Sequence, residues 1–68
     1  MAFSQQALQA QQLLIEQTRG IAGVAGIGLA TEMGGQEVIT VQITENRAGA
    51  FIPGKIGGFR VILRHMPI

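Results

Sequence analysis

Glu37-Val38-Ile39-Thr40-Val41-Gln42-Ile43-Thr44-Glu45 alternates apolar and polar side chains with a period of two. Ile39, Val41 and Ile43 fall to one side of an extended chain and Thr40, Gln42 and Thr44 to the other, which is the pattern of a half-buried strand. Directly upstream, Met33-Gly34-Gly35-Gln36 carries a hairpin signal, because Gly-Gly supplies the positive φ angles of a tight primed turn. A hairpin needs a first arm. Ile21-Ala22-Gly23-Val24-Ala25-Gly26-Ile27-Gly28-Leu29-Ala30 is too rich in glycine for a helix and reads as a strand buried on both faces. Gly23, Gly26 and Gly28 within it either admit close approach by a helix or mark a bulge and strong twist.

Further toward the N-terminus, residues 4–19 lack Gly and Pro and are dense in Ala, Leu, Gln and Glu, which predicts a helix. Ser4 is its natural N-cap, and Gly20 stands where a left-handed residue closes a helix. Ala7, Leu8, Leu14 and Ile15 share one side, opposite a polar stripe of Gln5, Gln9, Gln12 and Glu16. Toward the C-terminus, residues 46–58 form a long glycine-rich connection, with Pro53-Gly54 suited to a type II turn. Phe51, Ile52 and Ile56 are expected to anchor it to the core, through a short helical turn. Residues 59–65 then alternate again, Phe59, Val61 and Leu63 against Arg60, Ile62 and Arg64, and Pro67 should stop the ladder. The fold expected is α+β: an N-terminal helix packed on a three-stranded sheet in the order α-β-β-loop-β, a ferredoxin-like fragment. The third strand has several possible neighbours and directions. Residues 1–68 make one domain, with no internal repeat.

Three segments taken together, Ile21-x-Gly23-Val24-x-Gly26-Ile27-Gly28, Val38-Ile39-Thr40-Val41-Gln42-Ile43 and Ile52-Pro53-x-x-Ile56-x-Gly58-x-x-Val61, resemble a known family. It is a small bacterial α/β domain found alone in uncharacterised proteins and at the N-terminus of some trypsin-like serine peptidases. The resemblance covers roughly residues 21–63 and rests on Gly, Pro and aliphatic positions, whose physical work is backbone geometry and packing. It implies an accessory module, with a peptidase or another protein as partner. It assigns no catalytic or binding residue here, and 68 residues leave no room for the peptidase domain itself.

Composition narrows the function classes. A chain of this length buries only about 60% of the surface its unfolded form exposes, and small domains compensate with disulfides, metals or self-association. Cysteine is absent, and the lone His65 cannot build a zinc site of the usual kind. Self-association is the compensation left. The net charge of +1 gives no general attraction to nucleic acid or anionic membrane, and no run of about 20 apolar residues spans a bilayer. No secretory signal is visible, so the expected location is cytoplasmic.

Residue by residue, the chemistry-bearing side chains read as structural. The chain has one Ser, one His and no Asp; Ser4 stands where a helix cap is expected and His65 at the far end of the chain, so Ser4 reads as a cap and not as the nucleophile of a triad. Glu32 and Glu37 flank the hairpin turn and are expected to face each other as solvated carboxylates. Gly23-x-x-Gly26-x-Gly28 lacks the spacing and the following helix of a phosphate loop. Arg60 and Arg64 share a strand face with Ile62 and lie near Lys55, a basic ribbon without the exposed aromatics that nucleic-acid-binding sheets use. No cofactor or metal is expected.

The function expected from these exclusions is a non-catalytic, homo-oligomeric interaction or accessory module. One helix covers one sheet face, so the opposite face, with Val38, Ile62, Arg60 and Arg64 and with Ala22 and Val24 as further members, or else an edge strand, is left for a like subunit. The alternative is a small-ligand or anion-binding module that uses the loop of residues 47–58, with Lys55, Gly57 and Gly58 as its binding residues. An enzyme assembled between subunits is the third reading.

Overall fold

The computed structural model describes residues 3–66. Pro67, expected to stop the last strand, lies outside them. Helix α1 (Gln5–Gln17) starts at the predicted cap: the Ser4 hydroxyl accepts the Ala7 amide at 3.2 Å. Strands β1 (Val24–Thr31) and β2 (Glu37–Ile43) form the antiparallel hairpin. A 3-10 helix (Asn46–Phe51) follows, then a two-residue strand β3 (Lys55–Ile56) and β4 (Phe59–His65). The sheet order is β1-β2-β4-β3, with β4 parallel to β2 and antiparallel to β3. The α+β architecture with one helix on one sheet face is therefore as expected, and consistent with a ferredoxin-like fragment. The sheet has four strands rather than three because the long connection contributes β3.

Alternation along β2 decides the layering. Ile39, Val41 and Ile43 are buried and meet Ala10 and Leu14 of α1, while Val24, Ile27 and Leu29 of β1 and Phe59 and Val61 of β4 pack around them. The helix lies mainly over β1 and β2 and touches the β3–β4 turn at Gly57. The rest of that face is covered by the connection, through buried Ala48, Ile52 and Ile56. This is why a thirteen-residue segment is needed there: it forms the other half of the second layer. Phe51, expected as an anchor, is instead 68% exposed, since the last turn of the 3-10 helix turns Ile52 inward and its neighbour outward.

Other local expectations change on contact with the backbone. The first strand is not buried on both faces: it is an edge strand, its residues mostly half-buried, with α1 on one side and no second layer among the described residues on the other. Its glycines mark a bulge between Val24 and Gly26, and a Cβ on Gly26 or Gly28 would face Gln42 and Thr40 rather than the helix. Gly54 has no positive φ, so the type II turn expected at Pro53-Gly54 does not form; the positive angles fall at Gly57 (59°) and Gly58 (86°), the values of a type I′ turn joining β3 to β4.

The first hairpin has a three-residue loop instead of a two-residue one. Gly35 N–H closes onto the Glu32 carbonyl, Glu32 N–H donates to the Gln36 carbonyl, and Thr31 lies opposite Glu37. Directly paired residues share a sheet face, so this register puts Glu32 and Glu37 on opposite faces. The facing carboxylates expected from the sequence do not exist.

Candidate functional site

Each of the two separated carboxylates has a structural partner. Glu37, on the helix side, accepts the Ser4 backbone N–H at 2.7 Å through Oε2 and the Ser4 hydroxyl at 2.6 Å through Oε1. In a capping box, a Glu three residues after the cap bonds back to the cap's own amide. Position three here is Ala7, and Glu37 supplies that carboxylate from β2. Its pKa is held below the ordinary carboxylate value, first by the Ser4 hydroxyl and then by the Ser4 amide. Ser4 is thus both cap and tether, and Glu37 is not a free solvated acid.

Glu32, on the other face, accepts from Arg60 Nη2 at 2.7 Å. Arg60 stands beside Val38, since Ile39 pairs with Val61, and Ala30 stands on Val38's other side. The ion pair between β4 and the end of β1 therefore bridges over β2 at the level of Val38. Val38 is 1% exposed in the single chain. Of the four residues expected at an oligomer contact, then, Val38 has no surface left to offer and Arg60 is engaged with Glu32. Ile62 is half-buried and Arg64 exposed on the same face.

The residues expected to bind an anion form the β3–β4 hairpin. Lys55 lies directly opposite Arg60, which extends the cationic face of Arg60 and Arg64 by one more charge. Gly57 and Gly58 are the turn itself, and Gly57 sits against Ala10 of α1. His65 is exposed at the end of β4, paired in register with Ile43 and far along the sheet from the Ser4 cap.

The feature that sequence reasoning left open is the edge of β1. The Glu32 to Gln36 hydrogen bond fixes which residues point their backbone groups at β2. Bonding alternates along an antiparallel ladder, so Gly26, Gly28 and Ala30 bond inward whereas Ile27, Leu29 and Thr31 turn N–H and C=O outward. No described strand lies beyond them. Gln11 Nε2 reaches the Ile27 carbonyl at 3.0 Å; the Leu29 and Thr31 groups face outward from the same edge. β1 contains no charged residue and no proline, the usual guards of a strand edge.

The helix flank above that edge is apolar. Leu8, Gln11 and Ile15 recur at spacings that align them on one side of α1. Gln11 bonds the edge strand, and Ile15 lines a groove of about 300 Å³ with Arg19, Val24, Ala25 and Ile27. Leu8 is 49% exposed. Open backbone and an apolar overhang thus run side by side.

No family model, curated protein or solved structure matches the chain. Among the described residues, no helix is long and apolar enough to cross a membrane, and no group of three or more His, Cys, Asp or Glu could hold a metal ion.

Proposed function

We propose that this chain is a non-catalytic homo-oligomeric assembly module, in which two copies join along β1 to continue the sheet. The observation that carries the reading is the unguarded edge: an eight-residue outer strand without charge or proline, overhung by Leu8 and Ile15. An exposed edge of this kind templates pairing with another strand. A second copy fits it on both levels at once. Antiparallel pairing about Gly28 sets Ile27 of one copy opposite Leu29 of the other, in mutually bonded positions, and brings the two Leu8–Ile15 flanks together across the two-fold axis. The non-catalytic part is supported by the engagement of the single Ser with Glu37 and the distance of the single His from it.

Light scattering coupled to size exclusion at micromolar protein tests this directly, since it separates a 7.2 kDa monomer from a species of twice that mass. A dimer is expected. Amide hydrogen exchange should show Leu29 N–H protected at high protein concentration and exchanging freely on dilution, because it points outward from the edge and no described residue of the chain bonds it. Leu8→Glu should dissociate the dimer, whereas Ile62→Glu on the opposite face should leave it intact. A folded monomer would refute the reading, and a dimer broken by Ile62→Glu alone would move the contact to the open sheet face.

A further inference from the structure

At the far end of β1 from its hairpin, the segment after α1 and the 3-10 helix face each other across a cleft of about 420 Å³. This is within the range of small-molecule sites, about 300–1,000 Å³. Ile21 and Ala22 form one wall, and Ala48 and Phe51 the other. Two alanines leave the space, and Phe51 holds its ring out beside it at 68% exposure. A chain with three aromatic residues in total keeps one of them in solvent at the mouth of an apolar cleft.

One bond ties the walls together and two brace them singly. Thr44 N–H donates to the Gly23 carbonyl at 2.7 Å across the two segments, while Ile21 N–H donates to the Thr18 carbonyl at 3.0 Å within the first wall and Ala48 N–H to the Glu45 carbonyl at 3.1 Å within the second. Gly23 packs against the side chains of Glu45 and Ala48 so closely that a Cβ there would stand 3.1–3.2 Å from them. The cleft is therefore preformed, which reduces the ordering cost of binding.

Its polar equipment is one charge of each sign. Arg47 Nε stands 3.6 Å from Glu45 Oε2, beyond hydrogen-bonding distance, and the two side chains are 84% and 41% exposed. Both keep hydrogen-bonding capacity for a ligand. A simple anion drawn to Arg47 meets the negative Glu45, and a simple cation drawn to Glu45 meets Arg47. A molecule that carries both charges on neighbouring atoms satisfies both.

We propose that this cleft binds a free apolar α-amino acid of the leucine type. Its α-carboxylate meets Arg47, its α-ammonium meets Glu45, and its side chain lies against Ile21, Ala22, Ala48 and Phe51. Residues within a peptide carry neither charge, and a terminal residue carries one, so the free zwitterion is the matching species. The site uses none of the β1 edge positions from Ile27 to Thr31 and stands whether or not the chain dimerises.

A titration of the 15N-labelled full chain with L-leucine, followed by amide NMR, tests the proposal. Saturable shifts are expected at Ala22, Ala48 and Phe51. N-acetylleucine, leucinamide and glycine remove the ammonium, the carboxylate and the side chain in turn, and each should bind about tenfold or more weakly, the loss expected for one charged hydrogen bond or one apolar contact set. Arg47→Gln, Glu45→Gln and Phe51→Ala, all at exposed positions, should weaken leucine by a similar factor while the remaining spectrum stays dispersed. N-acetylleucine binding as tightly as leucine, with Glu45→Gln tightening both, would overturn the zwitterion in favour of an anion site. Non-saturating shifts of equal size with leucine and glycine would overturn the site altogether.

Discussion

Gly23→Ala is the substitution for which the structure gives the most separable cost. The residue has a φ of 93°, and a Cβ built there lies 3.1 Å from Glu45 Cβ and 3.2 Å from Ala48 Cβ. Those neighbours are the first atoms of their side chains, so they can retreat only if the backbone of the 3-10 helix moves. An L-residue held in the left-handed region costs about 1–2 kcal/mol, and an extra methyl forced into a packed contact adds about 1–3 kcal/mol. The sum is about 3 kcal/mol, or a fall in Tm of roughly 12–24 °C for a domain of this size.

Two further glycines separate the contributions. Gly20 has a similar φ of 88° with nothing within 4 Å, so Gly20→Ala should show the backbone cost alone, about 1–2 kcal/mol. Gly26 has no positive φ, and a Cβ would meet only Gln42 Oε1 at 3.5 Å, so Gly26→Ala should be neutral or gain about 0.4–1 kcal/mol through the unfolded chain. Urea unfolding of the three variants at one fixed protein concentration measures all three values, and the fixed concentration keeps any dimer contribution constant. Equal losses for Gly23→Ala and Gly20→Ala would refute the tight approach of the β1 entry to the 3-10 helix, and with it the preformed cleft.

Glu37 gives a pH signature. Its folded pKa lies below the unfolded one, so the tether to Ser4 contributes fully above the unfolded carboxylate pKa and is lost as pH falls through the folded value. Thermal melts between about pH 5 and pH 3 should show wild-type stability falling, and Glu37→Gln should remove that part of the slope while lowering stability at pH 7. Replacing Gly34 and Gly35 together with Val should cost about 2–4 kcal/mol, all of it backbone strain, because both have positive φ and neither has a neighbour within 4 Å. A change within the ~0.5 kcal/mol typical of surface sites would contradict the loop geometry. Leu14→Ala removes a fully buried side chain facing Ile39 and Val41 and should cost about 2–5 kcal/mol by urea titration, with loss of the folded baseline at the upper end.

How far the sequence could be read depended on whether the signal was local. The alternation of β2 and β4, the Ser4 cap and the Gly34-Gly35 reversal are written in neighbouring residues and appear in the structure within one or two positions. Two of the errors turned on a single-residue choice of register or rotation. A loop of three residues instead of two moved Glu32 and Glu37 to opposite faces and gave them Arg60 and Ser4 as partners. One step of rotation in the 3-10 helix exchanged Phe51 for Ile52 at the core. Val38 was legible as a residue of the face opposite the helix, but its burial required a hydrogen bond between residues 28 positions apart. The edge position of β1 was not legible at all, since a glycine-rich aliphatic strand has the same sequence whether or not another strand lies beyond it.

The treatment of the two unfinished surfaces is what separates them as candidates for assembly. The open sheet face carries Lys55, Arg60 and Arg64 around Ile62, with Gln42 exposed and the Arg60–Glu32 pair laid over Val38. That face has been made compatible with water by its own side chains, and burying it in a dimer would desolvate Lys55, Arg64 and the Arg60–Glu32 pair. The β1 edge has no such accommodation. Its outward groups belong to Ile27, Leu29 and Thr31, its flank to Leu8 and Ile15, and among the described residues the side chain that hydrogen-bonds it is the neutral Gln11. Covering this edge removes unpaired backbone and apolar surface together, with Arg19 at the far end of the groove the one charge beside it. A small chain without disulfide or metal gains most where those two coincide, and in this fold they coincide along β1.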